Sequence, residues 1–388
     1  MSQQYDGHIF LASGFAAKYP EGGGNFSVPL QWALGLKRLG LNFTWLEIMP
    51  ASDDAQRDNE CMRIFDERLR KLDIPYALLF HREPQEQHDL GQFDFHGMSE
   101  AVFKGLLPGS TLLNLSYSIH PPLISLFERR IYCNLDPSEI CYWMEKMEMG
   151  QSSHSEFCIV ALNINSPECH LPVPPAGVKW NTFYPLVDTQ FLLKCPRPAQ
   201  NRITTVGQWY WNGYFEFEGG YRDLSKHAML RPYMDIPSAV PEVEWELAMH
   251  MNHGDSEVER IQQFGWKHVF PHNVVSSPAD YYRYIENSLA EFTPVKVDDL
   301  TRTGWISDRA AAYFALGRPV ITESTGAEPY LPQESGFLWV KDRESAIEAA
   351  RRVLGEWDIL SNAARECAVE YFDSIKNLKK ILGLNTAD

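Results

Sequence analysis

The residues best suited to chemistry lie in one run, Thr303-Gly304-Trp305-Ile306-Ser307-Asp308-Arg309-Ala310-Ala311-Ala312-Tyr313-Phe314-Ala315-Leu316-Gly317-Arg318-Pro319-Val320-Ile321-Thr322-Glu323-Ser324-Thr325-Gly326. It reads as loop, helix, strand and loop. Ser307 is an N-cap type, and the alanines behind it leave the first-turn N–H groups unshielded. Such an end attracts anions, a diphosphate among them, by about 0.3–1 kcal/mol per charge at an exposed site. Arg309 adds a fork that could grip phosphate through two bonds. Glu323, Ser324, Thr325 and Gly326 follow the strand, at the end where open α/β sheets bind ligands, and Glu323 could accept ribose hydroxyls. A plainer account has Ser307 and Asp308 capping an ordinary helix and Gly326 closing an ordinary turn. Neither Gly22-Gly23-Gly24 nor Gly219-Gly220 completes a dinucleotide fingerprint or a P-loop. His250 and His253 stand three apart with no carboxylate or cysteine set near them, which suits a helix surface, so no metal site is assigned.

The elements that must position these groups alternate. His8–Gly14 reads as a buried strand, Glu21–Phe26 as a loop with three consecutive glycines, and the next segment as a helix with Ser27 as N-cap and Pro29 in its first turn. Phe43–Ile48, Tyr76–Phe80, Ser110–Leu115 and Arg130–Leu135 read as strands and Asp54–Lys71 as a helix; the order implies a parallel, doubly wound sheet. Pro-rich stretches at Leu171–Gly177 and Cys195–Pro198 mark a hinge. Beyond it, Ile203–Trp209 reads as a strand, Pro241–Met249 as a strand or short helix, Tyr281–Ser288 as a helix, and Arg343–Leu354 and Asp358–Tyr371 as amphipathic helices. With 388 residues, two domains are the natural expectation, here 1–190 and 191–370, with a helix in 371–388 packing back on the first. The fold class expected is therefore α/β, two Rossmann-like domains facing a cleft.

Net charge of −16 disfavours a broad nucleic-acid or anionic-membrane footprint while leaving room for a local phosphate site. Seven cysteines without a CxxC pair suit free thiols in a reducing compartment. No stretch approaches the roughly 18 apolar residues of a membrane span, and the amino terminus lacks a basic and then apolar leader. A cytoplasmic location is the expectation.

The helix and the Gly317-Arg318-Pro319-Val320-Ile321 strand resemble the donor-binding part of GT-B glycosyltransferases. The Gly22-Gly23-Gly24-Asn25 segment resembles the glycine loop of those enzymes, placing Gly23 and Gly24 near donor phosphates or acceptor. Leu113-Asn114-Leu115-Ser116, Asn134-Leu135-Asp136-Pro137 and Tyr371-Phe372-Asp373 extend the similarity, to bacterial nucleotide-sugar-dependent transferases, over most of the chain. The resemblance implies an amino-terminal acceptor domain, a carboxyl-terminal donor domain, and transfer from a UDP- or GDP-linked sugar without metal or other cofactor. It implies a donor set of Gly23, Gly24, Arg222, Lys296, Trp305, Ser307, Asp308, Arg309, Glu323, Ser324, Thr325 and Gly326. Lys226 or Lys296 would face the diphosphate leaving group. His120 or Asp136 would be the base, although Asp136 before Pro137 also suits a helix cap. One departure is plain: where retaining relatives carry the second of two spaced glutamates, this chain has Ala312. The acceptor stays open among saccharide, lipid, small molecule and, less favoured by charge, modified nucleic acid. Alternatives on the same scaffold are an epimerase or phosphorylase, or a nucleotide-sugar-binding protein without turnover. On this reading Arg309→Ala and Lys226→Ala should each weaken donor binding and spare stability.

Overall fold

Short apolar runs form the strands of two large sheets in the computed structural model, which describes residues 5, 7–82, 90–171, 178–211 and 213–384. Most of the proline-rich 171–177 stretch lies outside them. The chain divides into two compact units, one of residues 1–160, 172–188 and 374–388, the other of 161–171 and 189–373. The simple division near residue 190 is thereby corrected: the chain enters the second unit at Ala161, leaves it, and returns at Thr189. Backbone bonds explain the early entry. Leu162 and Asn163 donate to the carbonyls of Gly304 and Thr303, and Ala161 bridges Trp305, all deep in the second unit.

Unit 1 holds β1 (Ile9–Ser13), β2 (Phe43–Pro50), β3 (Tyr76–His81), β4 (Asp94–His96), β5 (Thr111–Asn114), β6 (Arg129–Asn134), β7 (Glu156–Ile159) and β8 (Trp180–Thr182). They pair in the order β4-β3-β2-β1-β5-β6-β7-β8, parallel except for β4. Strand order therefore reverses between β1 and β5. Phe10, Leu46, Leu79, Leu112, Phe103 and Phe127 form part of the core on one face. Helices Gly23–Arg38 and Ser374–Leu382 pack together; a Cβ on Gly35 would meet Leu378 Cδ1 at 2.6 Å, so only glycine permits that approach.

The Gly23–Arg38 helix begins earlier than its sequence suggests. Gly22 holds the cap position, Gly23 and Gly24 form the first turn, and Ser27 and Pro29 lie inside the helix. Ser27 is not the cap and the glycines are not a loop. Tyr19 decides this: a Cβ on Gly22 would meet its ring at 2.3 Å, so the tyrosine seats on the glycine and the chain turns into helix there.

Unit 2 holds β9 (Arg202–Gln208), β10 (Tyr214–Phe217), β11 (Gly220–Asp223), β12 (Glu244–His250), β13 (Lys267–Val269), β14 (Ala290–Thr293), β15 (Val320–Glu323) and β16 (Phe337–Val340). Six form a parallel sheet in the order β13-β12-β9-β14-β15-β16, the Rossmann arrangement, reversing between β9 and β14; β10 and β11 form a separate hairpin. Ile203, Trp245, Phe292, Ile321, Leu338 and Trp357 fill the core. Glu291 lies in β14, a four-residue central strand buried along its length. The 241–249 segment resolves as strand. His250 ends that strand, and His253 packs on Phe270 with ring centroids 4.5 Å apart; neither lies on a helix.

Candidate functional site

The unit 2 site grows from the switch point, where the carboxyl ends of β9 and β14 part. Helix Asp308–Ala315 starts beside them, capped by the Ser307 hydroxyl, which accepts from Ala310 N at 3.0 Å. Its buried face sits on the sheet, and Tyr313 OH meets Thr204 Oγ1 at 2.7 Å. That anchoring aims Arg309 into the gap between strands. Its Nε pairs with Glu291, Nη1 donates to Val206 O at 2.9 Å, and Nη2 to Thr293 Oγ1 at 2.8 Å. The expected free fork is thus already engaged. The reason is Glu291, a fully buried carboxylate in β14 that needs a cation; burial lowers the Arg309 pKa, but this ion pair outweighs it and the guanidinium stays charged. Stability cannot be indifferent to Arg309.

Lys226 opens a five-residue helix capped by Ser225. Its ammonium donates to Pro294 O and lies 3.5 Å from Thr293 Oγ1. Burial, then the nearby Arg309 and Lys296 charges, push its pKa down to about 7, against the pull of Glu291 and Glu323. Lys296 stands over the Trp211 ring at 5.1 Å. Arg222 lies on the exposed β11, and its charge works against the burial that raises the Asp299 pKa.

Glu323 ends β15. It accepts from Tyr233 OH at 2.6 Å and from Val295 N at 3.0 Å, and burial raises its pKa. Two lone pairs per oxygen leave acceptor capacity for a hydroxyl. Ser324 donates to Glu328, while the buried Thr325 hydroxyl donates to Trp305 O at 2.8 Å, so Thr325 fastens the loop instead of facing a ligand. Gly326, at φ +86°, makes the turn a side chain would strain. Between these loops lies a cavity of about 20 Å³, walled in part by Trp305, Ser307, Thr322, Thr325 and Trp339, room for a single water. Asp308 occupies the first helical turn; Ala312 is buried within the helix, so no carboxylate stands at that position.

Asn163 was not expected from the sequence. Its amide donates to Arg302 O at 2.8 Å and accepts from Tyr330 OH at 3.0 Å, joining the loop before Trp305 to the one after Gly326. No local signal marks it, because the partners are 139 and 167 residues away.

In unit 1, Gly14, Ser116, His120 and Asp136 follow the carboxyl ends of β1, β5 and β6. His120 precedes the four-residue helix Pro121–Ile124 and offers no side-chain cap bond. Asp136 stands in the cap position of helix Pro137–Met144, where the capping reading put it, but its side chain makes no cap bond; its own N–H donates to Asn134 Oδ1 at 3.0 Å. Glu47 is fully buried in β2 and holds the loop after β1: it accepts from Ser13, from Trp45 Nε1 at 3.2 Å, and from Ala16 N and Ala17 N at 2.8 and 3.0 Å. Asn114 bridges His154 Nε2, at 3.0 Å, and Ser116 N, at 2.9 Å.

No protein-family model matches the chain, and no curated protein matches it in sequence. Solved structures match it in fold. Anabaena HepE in complex with UDP-glucose superposes with a TM-score of 0.58 at 11% identity, over 97% of this chain and 98% of that one. An alpha-glucosyltransferase in complex with UDP and a 13-mer DNA containing an HMU base superposes with a TM-score of 0.59, again at 11% identity and over 97% and 98%. The fold is GT-B. Within the GT-B fold of this chain, the buried cations Arg309 and Lys226 gather at the switch point of unit 2, while the buried Glu47 of unit 1 meets uncharged donors. Among the described residues no helix is long and apolar enough to cross a membrane, and no cluster of three or more His, Cys, Asp or Glu side chains could hold a metal.

Proposed function

We propose that the protein is a glycosyltransferase that moves a sugar from a nucleoside diphosphate sugar to an acceptor hydroxyl, holding the donor in unit 2. The observation that carries this is Lys226: an ammonium with its pKa near 7, packed with Arg309 and Lys296 at the switch point of a Rossmann sheet. Concentrated positive charge is costly unless an anion completes it. A diphosphate does so, with the capped N-terminus at Ser307 and Asp308 supplying N–H donors. Glu323 accepts from the ribose, and Trp305 with the Ser324–Gly326 loop borders the nucleoside. UDP is the first donor to test, since HepE and the alpha-glucosyltransferase were solved with UDP or UDP-glucose.

In the reaction the bond between the sugar C1 and the diphosphate oxygen breaks, and its electron pair stays on the diphosphate. Lys226 and Lys296 meet the charge that grows there, the role a metal ion plays in other transferases. The acceptor oxygen bonds to C1 and loses its proton to a base, for which His120 and Asp136 in unit 1 are the candidates. Gly23 and Gly24 offer first-turn N–H groups to a phosphate or to the acceptor.

Differential scanning with UDP and UDP-glucose in EDTA tests the donor site. Saturation at about 100 times Kd stabilises the fold by about 2.7 kcal/mol. The expected result is a shift in the wild type that Lys226→Met reduces; no shift with UDP, GDP, ADP or dTDP, with or without magnesium, overturns the proposal.

A further inference from the structure

We infer that the β10–β11 hairpin is a binding surface for a neutral polysaccharide, which extends the proposed transferase reading by naming the acceptor class. The hairpin is tight: Glu218 and Gly219, its two turn residues, both have positive φ, as a two-residue reversal requires. Tyr214 pairs with Asp223 and Glu216 with Tyr221, so these four side chains share one face. Phe215, on the other face, is buried. Hence the outward face is the one carrying Tyr214 and Tyr221, 65% and 73% exposed.

Two tyrosine rings on a diagonal, alternating with two carboxylates, suit one chemistry. The C–H faces of a pyranose are apolar and stack on aromatic rings, while its hydroxyls donate to carboxylate oxygens. A nucleic acid would also stack, but it needs cations along its backbone, and residues 214–223 hold three carboxylates against one guanidinium, Arg222, on the face opposite the tyrosines. An anionic polysaccharide is disfavoured for the same reason. The surface also connects to the donor site. Trp211 lies against Gly213, where a Cβ would meet its ring at 2.9 Å, and the same ring lies under Lys296. A glycan along the hairpin is therefore led toward the cations that would receive the diphosphate.

Affinity electrophoresis of the full chain tests this, in native gels containing dextran, galactomannan or xyloglucan, with hyaluronan gels and a duplex oligonucleotide alongside. At least one neutral polysaccharide should retard the wild type. Tyr214→Ala/Tyr221→Ala should weaken that retention about tenfold, and Tyr214→Phe/Tyr221→Phe, which keeps both rings, should preserve most of it. All three proteins should give the same thermal shift with UDP. Retardation by none of the neutral polymers, equal retention in the alanine pair, equal loss in both pairs, or binding confined to hyaluronan or the oligonucleotide would each overturn the inference. A missing UDP shift in the wild type would sink the donor reading alone, because retention by polysaccharide is measured without donor.

Discussion

Both units place a fully buried glutamate near the point where strand order reverses, and the two are met by different kinds of partner. Glu47 in unit 1 is met only by uncharged donors, the Ser13 hydroxyl, the Trp45 indole and two backbone N–H groups, and burial raises its pKa. Glu291 in unit 2 is met by the Arg309 guanidinium. Four dipoles shape a loop without adding charge. A guanidinium cancels the Glu291 carboxylate, so Glu323 is the acid left to face Lys226 and Lys296 at the same sheet edge. The same topology thus gives the buried glutamate dipolar partners in one unit and a cation in the other, beside further cations.

The sharpest way to break this contrast is Arg309→Ala. It strands Glu291 as an uncompensated buried charge, and unit 2 should lose about 3–5 kcal/mol in urea unfolding. This replaces the expectation that Arg309 could be removed without loss of stability. The double variant Arg309→Met/Glu291→Met should recover much of that loss, since an apolar pair of similar volume needs no counter-charge.

In unit 1 the matching test is Glu47→Gln. All four partners of Glu47 are donors, so the glutamine NH₂ faces at least one of them, and unit 1 should lose about 1–3 kcal/mol. The pH dependence has a definite sign. With the folded pKa raised above the ordinary value, the native state holds more protons in the window between the two, so the stability associated with Glu47 falls as pH rises through it. Subtracting the melts of Glu47→Gln from those of the wild type, from pH 4 upward, should isolate that slope.

Lys226→Met should weaken UDP binding by about tenfold at pH 6, where the ammonium is charged, as read by calorimetry. In the wild type, affinity should fall above pH 7 by up to about tenfold per unit, because the ammonium must be protonated to meet the diphosphate; the variant should show a flatter profile. Without ligand the sign reverses. Lys226 binds fewer protons folded than unfolded between pH 7 and its ordinary pKa of 10.5, so its contribution to stability grows as pH rises across that range.

Asn163→Ala should have the smallest effect, about 1 kcal/mol from the loss of its bonds to Arg302 O and Tyr330 OH. A several-fold rise in the Kd for UDP at unchanged secondary structure would show that the loops around Trp305 and Gly326 are set by this amide.

Much of the architecture could be read from residue order. The strand-helix alternation, the Ser307 cap and the Pro319–Thr322 strand all depend on neighbours within a few residues, and such signals stay in the chain wherever it folds. The four-residue strands β7, β14 and β16 show no alternation, and no flanking motif marks them as the Gly317-Arg318-Pro319 run marks the equally short β15. With β14 went Glu291, and with Glu291 the reason Arg309 cannot offer a free fork. The Gly23–Arg38 helix was displaced by the packing of Tyr19 on Gly22, a contact no capping rule contains.

Local sequence determined that this chain would build two α/β units, that a helix would present its N-terminus at Ser307, and that a carboxylate would end the strand at Glu323. Tertiary structure alone decided which charges meet. Arg309 reaches Val206 across 103 residues and Lys226 reaches Pro294 across 68, and both meetings depend on strand order. Capping and periodicity act over one turn or one strand. Charge compensation in a buried crevice acts over a few ångströms between segments far apart in the chain, so it exists only once the sheet has set its order.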